Sequence, residues 1–195
     1  MAANDNTPAT NATTPPRGYN AAPISDFVPP IDNFAARITK KPFGIYITPA
    51  TSPVQPERFQ GYHTGDDAET TADEQYKDVP IVSMADGEVI LARYVSGYGG
   101  VMMIVSTIKG QTVTALYGHL RLSSLTKKVG NNAKKGEKIG VLGTGYTSET
   151  DGERKHLHFG ILKGRSTNVK GYVSSKAALT DWNDPLAWLK EQGAL

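Results

Sequence analysis

From about residue 43 onward, the sequence alternates short apolar runs with glycine, asparagine and aspartate. This spacing is typical of all-β domains, in which short strands are joined by tight turns. We therefore predict a mostly antiparallel sheet, or an open barrel-like core, that buries one face. The runs that predict strands are FGIYIT, VPIVSM, EVILARYV, VMMIVST, TVTALYGHL, KIGVLG and HLHFGIL.

Turn signals lie between these runs. Asp86 and Gly87 separate VPIVSM from EVILARYV, and an Asp-Gly pair predicts a tight hairpin at that point. The segments SGYGG and KGQ mark the next two reversals of the chain. Two polar segments, 66–78 and 145–155, interrupt the pattern beside histidine motifs. We expect them to be either solvated surface loops or loops that contribute to binding.

The two ends of the chain differ from this pattern. Residues 1–25 are rich in Asn, Thr, Ala and Pro, which predicts a flexible polar tail or linker, because so few large apolar side chains cannot offset the cost of ordering. Residues 26–195 are long enough for a single domain. That domain is expected to end in a short helix, with Asp184 as N-cap and Pro185 at the first helical position. The apolar stripe that would dock this helix consists of Leu186, Trp188 and Leu189.

Composition excludes several classes of function. With 21 basic and 19 acidic residues, the chain offers no electrostatic basis for binding nucleic acid or an anionic membrane. Cysteine is absent, so any zinc site must use nitrogen and oxygen ligands. No apolar run reaches the roughly 18 residues of a membrane span, and the first thirty residues lack the pattern of a secretory signal.

The histidines carry the candidate chemistry. All four lie in short, distinctive contexts: GYHTGDD, LYGHL and HLHFG. Along an extended HLHFGIL strand, the apolar residues at odd positions share one face, whereas His156, His158 and Gly160 share the other. A single histidine is usually a surface or satisfied core group. Two histidines beside a small residue, however, leave room for a metal ion or a substrate.

A catalytic zinc site typically uses three protein ligands and keeps a fourth position for water. His63 and Asp67, four residues apart across a glycine-containing turn, supply one imidazole and one carboxylate. One more histidine completes the set, and the spacing leaves open whether His156 or His158 binds the metal while the other reaches water or substrate. No HExxH, GxSxG or P-loop motif is present.

Five segments in consistent order, within about residues 60–162, resemble the zinc peptidases of the lysostaphin and LytM type, family M23. The segments are HTGDD at 63–67, ADGEVILARYVSGYGG at 85–100, YGHL at 117–120, VGNNAKKGEKIGVLGTG at 129–145 and HLHFGI at 156–161. The resemblance implies a mostly antiparallel β fold with a substrate groove walled by loops. It also implies hydrolysis of peptide cross-links or stem peptides in bacterial peptidoglycan.

Carried over by position, the resemblance implies that His63, Asp67 and His158 bind one Zn²⁺ per chain. It implies that His119 and His156 orient the water, move its proton and stabilise the oxyanion. The chain departs from many relatives in having Ser106 in place of a histidine and Gly160 in place of an acidic residue. The 145–155 segment is also longer than usual, and residues 163–180 are not covered; both affect the expected substrate preference.

Several alternatives accompany this prediction. A metal-binding protein of the same fold without turnover would act as an envelope scaffold or as an activator of another hydrolase, but all five expected positions are intact. VGNNAKKGEKIGVLG also resembles the repeat of biotinyl and lipoyl carrier barrels, although the Met102-Met103 pair lacks the lysine that such carriers modify.

The resemblance also sets the expected location and partners. We expect a monomer that acts on peptidoglycan peptides outside the cytoplasmic membrane, with an export signal or anchor preceding this sequence. Residues 20–42, just before the site, are a hypothetical inhibitory segment over the groove.

Overall fold

The computed structural model describes residues 25–195, so the predicted tail, apart from its last residue, lies outside the described residues. The strands are β1 Tyr46–Ile47, β2 Gly61–His63, β3 Asp66–Glu69, β4 Pro80–Val82, β5 Gly87–Val95, β6 Gly99–Ile108, β7 Gln111–Leu120, β8 Asn132–Ala133, β9 Lys138–Val141, β10 His156–Lys163, β11 Tyr172–Val173 and β12 Trp182–Asn183. The α-helices are α1 Phe34–Arg37 and α2 Pro185–Glu191. Short 3-10 turns lie at Ala72–Glu74, Leu122–Ser124, Ser148–Thr150 and Lys176–Asp181.

The main sheet is antiparallel, which confirms the predicted fold class. Its order is β12-β10-β7-β6-β5-β8, and β3 also pairs with β10. The sheet remains open, with β8 and β12 at the ends of this order. The KGQ turn between β6 and β7 has positive φ at Lys109 and Gly110, 51° and 79°. Two consecutive residues with positive φ are what a type I′ hairpin requires.

The predicted hairpin at Asp86-Gly87 is wrong. Strand β4 pairs with β9, whereas β5 pairs with β6 and β8, so the strands on either side of this turn belong to different sheets. Asp86 accepts hydrogen bonds from the Lys135 backbone N–H (2.7 Å) and the Lys134 ammonium (3.0 Å) and so ties the turn to the β8 region. A Cβ at Gly87 would lie 2.4 Å from the Val105 carbonyl oxygen, so glycine allows close strand approach here.

The polar segment 66–78 begins with a buried strand rather than a surface loop. Strand β3 pairs with the start of β10, and Asp66 is almost fully buried. Its carboxylate accepts the backbone N–H groups of Phe43 (2.8 Å) and Leu186 (2.9 Å). Burial raises the pKa of Asp66 to about 6, and the charge of Asp184 adds to this rise while the hydrogen bonds oppose it. Asp66, on β3, therefore links the chain before β1 and the first turn of α2 to the strand that carries Asp67.

The core on one face of the sheet includes the N-terminal segment, which the apolar pattern did not predict. Phe27, Ile31 and Phe34 are buried in the same cluster as the odd-numbered apolar residues of β10. The Phe34 ring lies 5.5 Å from that of Phe159, and the Phe27 ring lies 4.5 Å from that of Trp188. A second buried apolar cluster lies on the opposite face, and it includes Val173, Leu179 and Trp182, which follow β10 in the chain. Both sides of the sheet are thus covered.

The C-terminal helix is confirmed. The Asp184 carboxylate accepts the Ala187 N–H at 3.0 Å, Pro185 occupies the first turn, and Trp188 and Leu189 are buried. Within residues 25–195, no helix has the length and apolar character needed to cross a bilayer.

Candidate active site

The side chains of three predicted ligand residues meet at one point. His63 lies at the end of β2, Asp67 on β3 and His158 on β10, and all three side chains are buried. The His63 Nε2 atom is 3.0 Å from His158 Nδ1 and 3.2 Å from Asp67 Oδ1. The third separation, from His158 Nδ1 to Asp67 Oδ1, is 3.1 Å.

This donor set fits a zinc-like ion. Two imidazole nitrogens and one carboxylate oxygen are the ligand types of a cysteine-free zinc site, and these three residues form a cluster able to hold a metal. Tetrahedral ligands at about 2.0–2.1 Å from zinc lie about 3.3 Å from one another. The observed separations of 3.0, 3.1 and 3.2 Å are close to that value. The Pro42 carbonyl lies 3.3 Å from His63 Nδ1 and can only accept, which leaves His63 Nε2 free to donate its lone pair.

The second oxygen of Asp67 has different neighbours. Arg154 Nη2 donates to Asp67 Oδ2 at 2.9 Å, and His156 Nε2 lies 3.3 Å from the same oxygen. Burial alone would raise the pKa of Asp67, but the charges of His156 and His63 and hydrogen bonds from the histidines hold it well below its usual range. Arg154 also donates to Glu69 at 2.5 and 3.0 Å. A charged network therefore keeps Asp67 ionised and fixes its orientation.

The other two histidines lie beside this cluster. His156 Nδ1 donates to the Arg154 carbonyl at 2.9 Å, because a carbonyl can only accept. His156 Nε2 therefore carries the lone pair when the ring is neutral and donates to Asp67 Oδ2 when the ring is protonated. The rings of His119 and His156 lie 4.2 Å apart. Burial, followed by the charge of His156, lowers the pKa of His119 well below its usual value. Burial also lowers the pKa of His158 to about 4, although Asp67 opposes this shift. His119 and His158 are therefore neutral at pH 7.

His119 reaches the site through an irregular backbone. Its φ is 60°, in the left-handed region, which is costly for a residue other than glycine. Tyr117 and Leu120, on either side, are both in the core cluster, so the alternation of faces along β7 is interrupted between them. His119 consequently lines the groove instead of the core.

A groove of about 350 Å³ lies over the cluster. One wall carries Phe59 and Tyr172, whose rings stack 5.5 Å apart, and the 145–155 segment contributes Glu153 and Arg154. This segment therefore lines the candidate site. Lys155, buried next to Arg154, donates to the Glu74 and Lys77 carbonyls at 2.9 and 2.5 Å. These hydrogen bonds fix the end of the 145–155 segment to the 66–78 segment.

Arg154 and Tyr98 are among the groove residues that the sequence analysis did not predict. Arg154 lies two positions before His156. In an extended R-x-H-x-H segment its side chain would lie on the same face as both histidines, and this was the signal that could have identified it. Tyr98 lies in SGYGG, which was interpreted only as a turn, and nothing in its spacing indicated the groove. Ser106 is buried on β6 and does not line the groove, and of the 25–42 segment only Lys41 does. Residues 25–40 therefore do not cover the site, contrary to the inhibitory hypothesis for this part of the segment.

Comparison with known proteins gives matches at three levels. A protein of Haemophilus influenzae described as uncharacterized is 41% identical over 96 residues, which are 48% of this chain and 21% of that protein. The match thus spans about a fifth of this relative's length. The structure of LytU aligns with a TM-score of 0.54 and 25% identity, covering 80% of this chain and 85% of that one.

A third match, to the antimicrobial peptidase lysostaphin from Staphylococcus simulans, has a TM-score of 0.53 and 22% identity. It covers 87% of this chain and 55% of that one. At this identity the likeness concerns the fold alone. The family model for peptidase family M23 matches residues 61–170, which include every residue of the candidate metal cluster and both neighbouring histidines. Because this match spans more than half of the 195 residues, the chain belongs to peptidase family M23.

Proposed function

We propose that the protein is a zinc-dependent endopeptidase that hydrolyses peptide bonds in bacterial peptidoglycan. The observation that carries this proposal is the convergence of His63, Asp67 and His158 within 3.2 Å, with two further histidines at the floor of one groove. Membership of a peptidase family supports peptide hydrolysis. Peptidoglycan is the substrate implied by the resemblance of the motifs to the lysostaphin and LytM type.

In this proposal His63, Asp67 and His158 hold the ion. A bound zinc would polarise the peptide carbonyl and acidify water near neutral pH. His63 is at the end of β2 and His158 is on β10, and the Asp67 carboxylate is held by Arg154 at 2.9 Å. These fixed orientations matter because a catalytic zinc site works only when its ligands are aligned before substrate arrives.

The chain's own histidines would move the proton. His119, neutral at pH 7 because burial lowers its pKa, can accept a proton from the attacking water and return it to the leaving nitrogen. The hydrogen bond of His156 Nδ1 to the Arg154 carbonyl holds the ring so that Nε2 lies beside Asp67, where it can orient the same water. The bond between carbonyl carbon and nitrogen breaks, the water oxygen joins the carbon, and the nitrogen receives the proton.

The proposed substrate also determines where the protein works. Peptidoglycan lies outside the cytoplasmic membrane, so we propose an extracytoplasmic enzyme that acts as a monomer on peptidoglycan peptides. Phe59 and Tyr172 line one side of the groove, and the 145–155 segment also lines it. These residues would hold the peptide next to the histidines.

The direct experiment is mass spectrometry of fragments released from purified cross-linked peptidoglycan by the zinc-loaded protein. We expect peptide-cleaved fragments from the parent, none from His119→Ala, and parental release from Ser106→Ala, which alters a buried polar residue outside the groove. No release from several cross-link types by a parent that binds one zinc per chain would contradict the proposal. That result would instead support the scaffold or activator alternative.

A further inference from the structure

A buried hydroxyl in the groove has no partner among the described residues. Tyr98 is 6% exposed and lines the groove, yet its hydroxyl makes no hydrogen bond within residues 25–195. Buried polar groups are nearly always paired, and a buried tyrosine hydroxyl usually has a fixed partner. The hydroxyl thus lacks a partner among the described residues, and the groove that Tyr98 lines is the place from which a ligand could supply one.

The fold makes room for this side chain with two glycines. A Cβ at Gly118 would lie 2.5 Å from Tyr98 Cδ1, and a Cβ at Gly171 would lie 2.6 Å from the Tyr98 hydroxyl oxygen. Neither position could hold another residue without displacing the ring. The ring is thus confined between β7 and the segment before β11, and its hydroxyl position is set by the backbone.

Tyr98 lies directly beside the candidate chemistry. Its ring centroid is 5.1 Å from that of His158 and 5.3 Å from that of His119. Burial, with a further contribution from Asp67, raises the pKa of Tyr98 above its usual value. A phenol has an ordinary pKa of about 10, so the Tyr98 hydroxyl carries its proton at neutral pH and can donate a hydrogen bond.

We propose that the Tyr98 hydroxyl donates a hydrogen bond to the carbonyl oxygen of the peptide bond being cleaved, and so stabilises the negative charge that develops there. The proton remains on the phenol oxygen throughout, so no bond at Tyr98 is made or broken. This inference rests on the proposed peptidase function and adds Tyr98 to its catalytic residues.

Such a donor acts mainly in the transition state. A hydrogen bond to an oxygen that gains negative charge becomes stronger as the charge develops. An interaction that is stronger in the transition state than in the bound substrate raises kcat and leaves KM nearly unchanged. A residue that only shaped the groove would instead affect KM or the stability of the fold.

The test is Tyr98→Phe, which keeps the ring and removes the donor. We expect kcat to fall roughly 100-fold, the scale of losing one donor to a developing oxyanion, while KM changes less than about twofold. The melting temperature should stay the same or rise, because an unpaired buried hydroxyl is removed. Zinc stoichiometry should remain one per chain.

Tyr117→Phe is the matched control, since Tyr117 is also a buried tyrosine but lies in the core. Its hydroxyl accepts the Met84 backbone N–H at 2.9 Å. Removing it leaves that N–H unpaired, so the melting temperature should fall while kcat stays at the parental value. The two tyrosines should thus give opposite results in the two measurements.

A second readout uses an uncleavable phosphinic peptide, whose tetrahedral phosphorus mimics the reacting carbon. Tyr98→Phe should weaken its binding by about the same factor as it lowers kcat. An active parent with an equally active Tyr98→Phe variant, or with a change in KM alone, would overturn this inference but not the proposed function. A parent that cleaves no peptidoglycan would overturn both.

Discussion

The two oxygens of the Asp67 carboxylate face different neighbours. Oδ1 faces the imidazoles of His63 and His158, whereas Oδ2 accepts from Arg154 at 2.9 Å. Arg154 is itself held by Glu69, two residues further along β3. Because a guanidinium fixes the plane of the carboxylate, only Oδ1 is directed at the candidate metal position. We therefore regard Arg154 as the residue that positions this ligand.

Replacing Arg154 with Met tests this role, because Met fills similar space without donating hydrogen bonds. We expect zinc affinity to fall about 10- to 100-fold, as is typical when a group that orients a ligand is lost. Competition with a chromophoric chelator measures it. Arg58→Met is the matched control, since Arg58 also pairs with two acidic residues, Asp151 and Glu153, but does not contact the cluster. Equal affinities in the two variants would show that Arg154 does not position Asp67.

Short-range patterns predicted part of this site and missed the rest. The alternation along β10 placed His156 and His158 on the face opposite the core, and the structure confirms it. The left-handed φ of His119 was not predicted, because the sequence does not show that Tyr117 and Leu120, three positions apart, are buried in the same core cluster and so break the alternation of β7. Arg154 was missed because its partner carboxylates lie 85 and 87 positions away in the chain.

At the scale of elements, the site depends on pairing between segments that are distant in the chain. Strand β10 pairs with β7 along most of its length and with β3 at its start. The local pattern predicted β7 and β10 as strands, since both have strong apolar periodicity. It did not predict β3, whose residues are mostly acidic and stay buried only because specific partners satisfy them. It also misplaced the partner of β4, because an Asp-Gly turn indicates a reversal but not which strands pair.

The helix α1 and the 66–78 segment are joined by one ion pair. Arg37, in the last turn of α1, donates to both carboxylate oxygens of Glu74 at 2.7 and 2.8 Å. The hydrogen bond from Arg37 lowers the pKa of Glu74 from 4.5 to about 2, although partial burial opposes the shift. A carboxylate with a depressed pKa stabilises the fold above its unfolded pKa and loses that contribution as the pH falls.

We predict that Glu74→Gln lowers the free energy of unfolding by about 1 kcal/mol at pH 7, the upper range for a partly exposed pair. The difference from the parent should shrink as the pH falls from about 4.5 toward 2, where the parental carboxylate also becomes neutral. Urea unfolding of the parent and the variant at several pH values measures this difference in the free energy of unfolding. Glu88→Gln, in the exposed pair with Arg165, should give a smaller difference. A pH-independent effect at Glu74 would mean that packing, not charge, links the two elements.

At the scale of the whole molecule, the fold and the candidate site have separate supports. Both sheet faces are covered by apolar clusters that include the N-terminal segment and α2. The candidate ligands come from β2, β3 and β10, so an ion there would hold these three strands together. None of these candidate ligands belongs to the apolar clusters. We therefore expect the metal-free protein to be folded, but less stable than the loaded one.

Zinc should raise the melting temperature by a predictable amount. An ion that binds only the folded state at 100 times its Kd adds about 2.7 kcal/mol of stability. For a domain of this size, each kcal/mol corresponds to about 2–4 °C, so we expect a rise of roughly 5 to 10 °C. Scanning calorimetry with and without a chelator measures it, and Mg²⁺ should give no comparable rise because it prefers six oxygen ligands. In His158→Ala the rise should disappear. If that variant kept it, the ion would bind elsewhere on the chain, and the cluster of His63, Asp67 and His158 would not be the metal site.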